Sequence, residues 1–268
     1  MSDRQLIRVG IIGITGRMGR EVARLIAERN DLMLVGAISS STNVALGKTL
    51  KEAGICNSEV KIMGPDKLEY IAEKSQVIIS FTNSTAEMKN LPIISKYGRA
   101  IVVGTTGFTD EQLSSLKDSV QNSPLLVSYN FSIGANVMFH IARLLSKLPK
   151  DFEISIIEAH HSGKLDAPSG TAKRIADIIM KERQYTKIVT GRQGESKRQL
   201  GELELLSIRA GGIVGKHTIL AASQNELIAV KHESFSRSSF ANGALMAATW
   251  LIGKKPGFYT MEDVLGFA

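Results

Sequence analysis

A single cysteine, Cys56, occurs in 268 residues. One thiol excludes an intramolecular disulfide framework and fits a reducing compartment. Cys56 itself reads as a small buried or loop residue. No Cys/His spacing of the kind that holds an ion is present, so no metal is expected. No apolar run is long enough to span a bilayer. Met1-Ser-Asp-Arg-Gln leads directly into an apolar strand, leaving no room for a secretory leader. Together these absences predict a cytoplasmic protein without a membrane partner. Internal repeats and low-complexity segments are also lacking. Acidic residues are in deficit, 26 against 33 Lys and Arg, for a net charge of +7. Yet no nucleic-acid motif is visible, and only Lys187 to Arg198 is locally rich in base. The excess charge reads as a field that attracts an anionic cofactor and substrate, with no nucleic-acid partner.

What the chain does contain begins with alternating strands and helices. Leu6 to Ile12 is an apolar strand, and Gly13-Ile-Thr-Gly-Arg-Met-Gly19 follows at once, leading into a helix to about Arg29 with Val22, Leu25 and Ile26 on its inner face. Strand, glycine loop and helix are the start of a dinucleotide-binding unit. Gly13 suits a tight turn, Gly16 a close approach by pyrophosphate, and Gly19 close packing of helix on strand. Thr15 stands where the usual middle glycine would be, and Arg17 adds a cation. The second strand, Leu32 to Ile38, ends in Ser39-Ser-Ser-Thr42. A carboxylate there would hold the ribose hydroxyls of NAD. The serines, Ser40 and Ser41 among them, instead favour NADPH, with NADH still possible.

Further apolar strands follow at Gln76 to Phe81, Arg99 to Val103 and Pro124 to Ser128, with an excursion over Ala45 to Asn57. Helices are expected over Ser84 to Tyr97 and from Thr109, a cap, to about Val120. The strand ends carry Phe81-Thr82, Gly104-Thr-Thr-Gly107 and Tyr129-Asn-Phe-Ser132. Turn chemistry alone would explain any one of these. Their repetition along one edge of a sheet points to a cofactor crevice. After a helix from Gly134 to Leu148, strands come in series: Leu203 to Ala210, Lys216 to Ser223 and Glu226 to Glu233, the last two joined around Gln224-Asn225. This change predicts a second domain with a mixed or antiparallel sheet. Gly191 to Arg198 is read as a flap or a disordered loop, and His140, His217 and His232 as packing or structural residues. Ser236 to Ile252 is a helix returning to the first domain, and Thr260 caps a short last helix.

The most chemical stretch lies between: Glu158-Ala-His-His-Ser-Gly-Lys-Leu-Asp-Ala-Pro-Ser-Gly-Thr171, read as a loop from a strand at Phe152 to Ile157 to a helix at Ala172 to Lys181. Histidine exchanges a proton near neutral pH, and Lys164 supplies a compact positive charge. Ser169 is placed to cap the helix, whose free N–H groups can bind an anion. Two adjacent histidines alone are more often a solvated surface pair. With Lys164 and the Ser-Gly-Thr cap they describe a pocket for a carboxylate-bearing substrate beside a proton donor.

These motifs, with Phe240-Ala-Asn-Gly-Ala244, resemble those of the dihydrodipicolinate reductases (4-hydroxy-tetrahydrodipicolinate reductases) across the whole chain and in the family's order. The resemblance implies an α/β fold, a Rossmann-type doubly wound parallel sheet plus a second α+β domain with a mixed sheet. It divides the chain into a dinucleotide-binding domain, 1–131 with 240–268, and a substrate-binding and oligomerisation domain, 132–239, in a homotetramer. It implies hydride transfer from NAD(P)H to a cyclic unsaturated dicarboxylate in lysine and diaminopimelate synthesis. Gly13, Ile14, Thr15, Gly16, Arg17 and Met18, then Gly104, Thr105 and Thr106, then Ser128, Tyr129, Asn130 and Phe131 would hold the cofactor, joined from the strand-end reading by Ser40, Ser41 and Phe81. His160 would donate the proton and Lys164 act as a second acid. His161, Gly170 and Thr171, with Ser169, would grip the substrate. The family often carries an acidic then a basic residue where this chain has serines, and some members carry bulkier, basic residues where it has Ser162-Gly163. Competing readings are another NADPH-linked reductase or dehydrogenase of the aspartate pathway, or a non-catalytic dinucleotide-sensing or nucleic-acid-binding protein.

Overall fold

Runs of apolar residues too short for a helix become buried strands when neighbours cover both faces. β1 (Ile7–Ile12), β4 (Val77–Ser80) and β5 (Ala100–Val103) are such runs, and they form the middle of a parallel sheet. The computed structural model describes residues 6–267. Met1 to Gln5, read as leading into β1, and Ala268 lie outside them. With β2 (Leu32–Ile38), β3 (Ile62–Met63), β6 (Pro124–Val127) and β12 (Gly257–Tyr259) the strand order is β12-β6-β5-β4-β1-β2-β3.

Helices cover both faces. α1 (Arg17–Ala27), α7 (Ser238–Leu251) and α8 (Met261–Leu265) share one apolar cluster, into which Val22, Ile26, Leu245 and Leu251 point with Val9 and Ile11. α2 (Leu68–Lys74), α3 (Ser84–Ser95) and α4 (Asp110–Ser119) share the other, through Ile71, Leu91, Ile94 and Leu116 against Ile78 and Ile101. Each fully buried aliphatic side chain contributes about 1.5–3 kcal/mol relative to exposure. Thr109 caps α4 in a reciprocal box with Gln112, and Thr260 does the same for α8 with Asp263. The order reverses at β1, which pairs with β2 on one side and β4 on the other. Ligands of open α/β sheets bind outside the carboxyl ends of strands at such a reversal.

This unit runs to Ser132 and resumes at Phe240; Ile133–Ser239 is a second compact unit. In the second, β7 (Glu153–His160), β8 (Lys187–Val189), β9 (Glu202–Arg209), β10 (Gly215–Ala222) and β11 (Leu227–Ser234) have the order β11-β10-β7-β9-β8. β10 is antiparallel to β7 and β11, while β7, β8 and β9 run parallel, so the sheet is mixed, as expected. α5 (Ile133–Leu145) and α6 (Gly170–Arg183) pack on it through Met138, Ala142, Ile175 and Ile179 against Ile154, Leu205 and Ile219.

Several elements differ from expectation. β3, β8 and β12 are two or three residues long and α2 only seven, too short to show a periodicity. Residues 191–198, read as a flap or a disordered loop, are tied to the sheet by two arginines. The Gln199 N–H at 3.0 Å, and then Arg192 at 2.7 Å, donate to Glu202 and hold its carboxyl at a pKa of about 2. Arg198 donates to the carbonyls of Ile154 and Glu202 at 2.8 and 2.7 Å. The largest difference is at the signature stretch. β7 extends to His160, so Glu158 and His160 are strand residues, and the loop begins only at His161. Among the described residues no helix is long and apolar enough to cross a membrane.

Candidate active site

The glycine loop sits at the reversal of the first sheet. Gly13 has φ +83°, and a Cβ on it would lie 2.2 Å from the Phe81 carbonyl oxygen, so the ends of β1 and β4 meet there with no room for a side chain. A Cβ on Gly19 would lie 2.2 Å from the Gly13 carbonyl oxygen, which fixes α1 tightly against the loop. Gly16 is the N-cap of α1 and supplies no side-chain acceptor. The first-turn N–H groups of a helix have no partner within it, and here no cap replaces one. This shallow cradle with an open helix end fits a pyrophosphate.

Around it the expected residues divide by exposure. Arg17, Ser40, Ser41, Thr106 and Tyr129 are exposed, and Asn130 is half-buried. Ile14, Thr105 and Phe131 are buried, at 0, 2 and 2 % exposure. These three belong to the core. Thr15 Oγ1 lies 2.7 Å from Ser39 Oγ and accepts from Asn43 at 3.1 Å, so the loop is tied to the end of β2. Below the crest, Glu87 is fully buried. Ser80, Thr82 and Thr105 each donate a hydroxyl to its Oε1 at 2.6 Å. Phe81 lies edge-on to Phe131 with ring centres 5.9 Å apart.

In the second unit the period of two along β7 puts Glu158 and His160 on one face. His160 Nδ1 lies 2.5 Å from Glu158 Oε2. So short an approach to a carboxylate assigns the ring proton to Nδ1 and leaves Nε2 for exchange. Glu158 Oε1 accepts from Arg209 at 2.8 Å and from the Ser169 N–H at 3.3 Å. Register brings these together: Glu158 pairs with Ser207 and His160 with Arg209 across β7 and β9, and Glu158 with His217 across β7 and β10. Burial pushes the Glu158 carboxyl up, but hydrogen bonds from Arg209, Ser207 and His160 outweigh it and hold it below its usual value. Burial pulls the His160 imidazole below its usual value, against the hydrogen bond and charge of Glu158. His160 is thus a strong acid once protonated, backed by a fixed counter-charge.

The loop beyond is held at both ends. Arg209 also donates to the Asp166 carbonyl at 2.6 Å, and the Ser162 N–H to the Gly211 carbonyl at 3.1 Å. Lys164 Nζ lies 2.6 Å from Asp166 Oδ1, whose carboxyl it holds below the usual range. Ser169 caps α6 by accepting from the Ala172 N–H at 3.2 Å, and it is buried, so its hydroxyl is spent inside the fold. Gly170 is exposed with open space around it, and Thr171 follows at the helix start.

Sequence reasoning missed Glu158 as a working group and missed Arg209; His217 it read as structural. The alternation of Glu158 and His160 was visible, but only a strand extending to His160 gives it meaning. Arg209 and His217 are distant in sequence and arrive by strand pairing. His217 is buried, with its ring 5.2 Å from that of His160 and its Nε2 3.2 Å from Ser169 Oγ. Burial, then the charge of His160, lowers its pKa to about 4. Glu158, His160 and His217 each offer a ligand atom within 4.8 Å of the others. Arg209 already supplies positive charge there, which opposes a dication.

Family models match both parts of the chain: dihydrodipicolinate reductase, N-terminus, over residues 7–131, and its C-terminus over 134–265. The 4-hydroxy-tetrahydrodipicolinate reductase of Methanopyrus kandleri is 40% identical over 97% of this chain and 97% of its own. That of Aquifex aeolicus is 37% identical over 97% and 99%. The dipicolinate-bound dihydrodipicolinate reductase from Paenisporosarcina sp. TG-14 superposes with a TM-score of 0.77 at 26% identity, covering 97% of this chain and 99% of that one.

Proposed function

The chain belongs to the dihydrodipicolinate reductase family, and from that premise we propose how its residues divide the work. It is an NAD(P)H-dependent oxidoreductase that reduces 4-hydroxy-tetrahydrodipicolinate to tetrahydrodipicolinate in lysine and diaminopimelate synthesis. Family membership displaces the readings as another aspartate-pathway enzyme or as a non-catalytic sensor.

The cofactor residues are the loop Gly13, Ile14, Thr15, Gly16, Arg17 and Met18; Ser40, Ser41 and Phe81; Gly104, Thr105 and Thr106; and Ser128, Tyr129, Asn130 and Phe131. Ile14, Thr105 and Phe131 are buried and shape the crevice from the core. When bound, the nicotinamide supplies the hydride. Exposed Ser40 and Ser41, with no carboxylate beside them, favour a 2′-phosphate and hence NADPH.

The second unit is the substrate domain. Gly170 and Thr171 at the start of α6 take one substrate carboxylate and His161 assists, with Ser169 acting as the cap that fixes this helix end. Lys164 exchanges Asp166 for a substrate oxygen and protonates the departing hydroxyl, which leaves as water while the neighbouring ring carbon gives up a proton to solvent and a ring double bond forms. His160, charged and held by Glu158, delivers its proton from Nε2 to the ring carbon next to the one that accepts the hydride. The observation that carries this reading is the buried Glu158–His160 pair at a strand end beside the N-terminus of α6, which Ser169 caps. Leu227 is 60% exposed on the edge strand β11, and Phe235 just beyond it 86%, which supports assembly into a homotetramer. A reducing cytoplasm suits the single thiol.

The test is oxidation of NADPH and NADH, followed by absorbance, with substrate made in situ from pyruvate and aspartate semialdehyde by the preceding synthase. NADPH should be favoured by roughly tenfold or more, the worth of one good polar contact of about 1.4 kcal/mol. Equal rates would sink the serine argument alone. No oxidation from folded protein that binds NADPH would overturn the proposal.

A further inference from the structure

His160 Nδ1 is committed to Glu158, so proton delivery depends on Nε2. Across β7 and β10, Lys216 pairs with Ala159 and His217 with Glu158. The strand position opposite His160 is therefore Gly215. A Cβ there would lie 3.2 Å from His160 Nε2 and 3.6 Å from its Cδ2, and 4.0 Å from Cε1 of His217. Those imidazole atoms are its nearest neighbours. Gly215 does not have the positive φ that favours glycine, so its backbone admits any residue. It is buried at the start of β10, a strand paired on both sides, where a glycine leaves no side chain to pack. Every conformational reason for a glycine is missing, and one steric reason remains. Nε2 makes no hydrogen bond among the described residues, yet it is not sealed from solvent as the Nδ1 atom of His217 is.

We propose that Gly215 is a positioning residue for the proton transfer: its missing side chain keeps the Nε2 end of His160 clear for the substrate and for reloading from solvent. The claim rests on His160 being the proton donor. A methyl group at 215 stands over Nε2, pushes the ring by a few tenths of an ångström against Glu158, and removes water from the imidazolium. It changes no hydrogen bond of the strand. Lys216, the next residue, points to the other face, 3.9 Å from Glu233, and serves as a control for perturbing the same strand.

The experiment compares Gly215→Ala, Lys216→Ala and His160→Gln in the full-length enzyme, using NADPH oxidation, NADPH affinity, thermal melting and the pH profile of kcat. Gly215→Ala should lose at least tenfold in kcat, with NADPH affinity and melting temperature close to wild type. The upper limb of its pH profile should move to lower pH, because desolvation disfavours the imidazolium. A purely structural defect would not move that limb. Diethyl pyrocarbonate, which attacks a neutral imidazole nitrogen, should label His160 more slowly in Gly215→Ala, read by peptide mapping that separates it from His161. Lys216→Ala should match wild type. If His160→Gln is crippled while Gly215→Ala keeps kcat within twofold, the role of Gly215 is wrong and the proton-donor assignment stands. If His160→Gln is near normal, the donor assignment itself fails. If Gly215→Ala does not fold, the glycine serves packing and the proposal is overturned.

Discussion

Among the described residues two carboxyl groups, those of Glu87 and Glu158, are completely buried, and they are put to opposite uses. Glu87, in the nucleotide unit, receives three hydroxyl donors on one oxygen and meets no cation or histidine; its other oxygen has no partner among the described residues. Glu158, in the second unit, meets an arginine, a histidine and a main-chain N–H. Glu87 reaches from the first turn of α3 to the ends of β4 and β5, and Glu158 lies near the end of β7. Partners, and not burial, separate them. Hydroxyls surrounding Glu87 hold two loops in place but have no proton to exchange near neutral pH. Around Glu158, the histidine can take and give a proton while arginine keeps the carboxylate charged. One carboxyl shapes a site, and the other drives it.

The sharpest way to break this contrast is at the second carboxyl. His160→Gln should lower kcat by about 10²–10⁴, the usual worth of general acid–base help, with little change in NADPH affinity. Glu158→Gln should lose a similar factor although it keeps an acceptor for Arg209, because an amide facing Nδ1 favours the wrong tautomer. The double variant should lose hardly more than either single one, since the two groups act as a unit. Additive losses in steady-state kinetics would show that they act separately.

Lys164→Ala should weaken substrate binding as well as rate, raising KM by roughly tenfold for one lost charged contact. An unchanged KM would remove Lys164 from the pocket.

A third effect concerns stability. His217 has a folded pKa of about 4 against about 6.5 unfolded. Between those values the unfolded chain binds the extra proton, so stability rises with pH. Its contribution is fully present above about pH 6.5 and is lost as pH falls toward 4, on the order of 3 kcal/mol in all. Urea midpoints measured from pH 7 down to 4 should fall accordingly, and less steeply in His217→Phe. Parallel slopes would show that His217 is not the titrating group.

The smallest effect is expected at the first carboxyl. Glu87→Gln should cost under about 1 kcal/mol, because the amide oxygen still accepts. Glu87→Ala should cost about 1–3 kcal/mol by leaving three hydroxyls unpaired, and should weaken NADPH binding without a matching fall in kcat. A large kcat loss in Glu87→Gln would erase the distinction between the two carboxyls.

Much of this was legible in the chain. Apolar runs of strand length, glycines at fixed spacing and Thr109 and Thr260 as caps are local signals, each set by sterics or hydrogen bonds within a few residues, and they mark out the elements that carry the sites. His160, Lys164 and the Ser169 cap lie in one segment, so their proximity could be read directly. The extent of β7 could not be read, because a polar end such as Glu158-Ala-His160 looks like a loop until other strands pair with it. Arg209, Ser207, Gly215 and His217 come from β9 and β10, 47 to 57 residues after His160 or more closely spaced partners on β7. Sequence alone determined which groups are available for chemistry and the order of the folded elements. Tertiary structure decided which carboxyl touches a histidine and which touches only hydroxyls, because strand register and the exclusion of water act between segments distant in the chain.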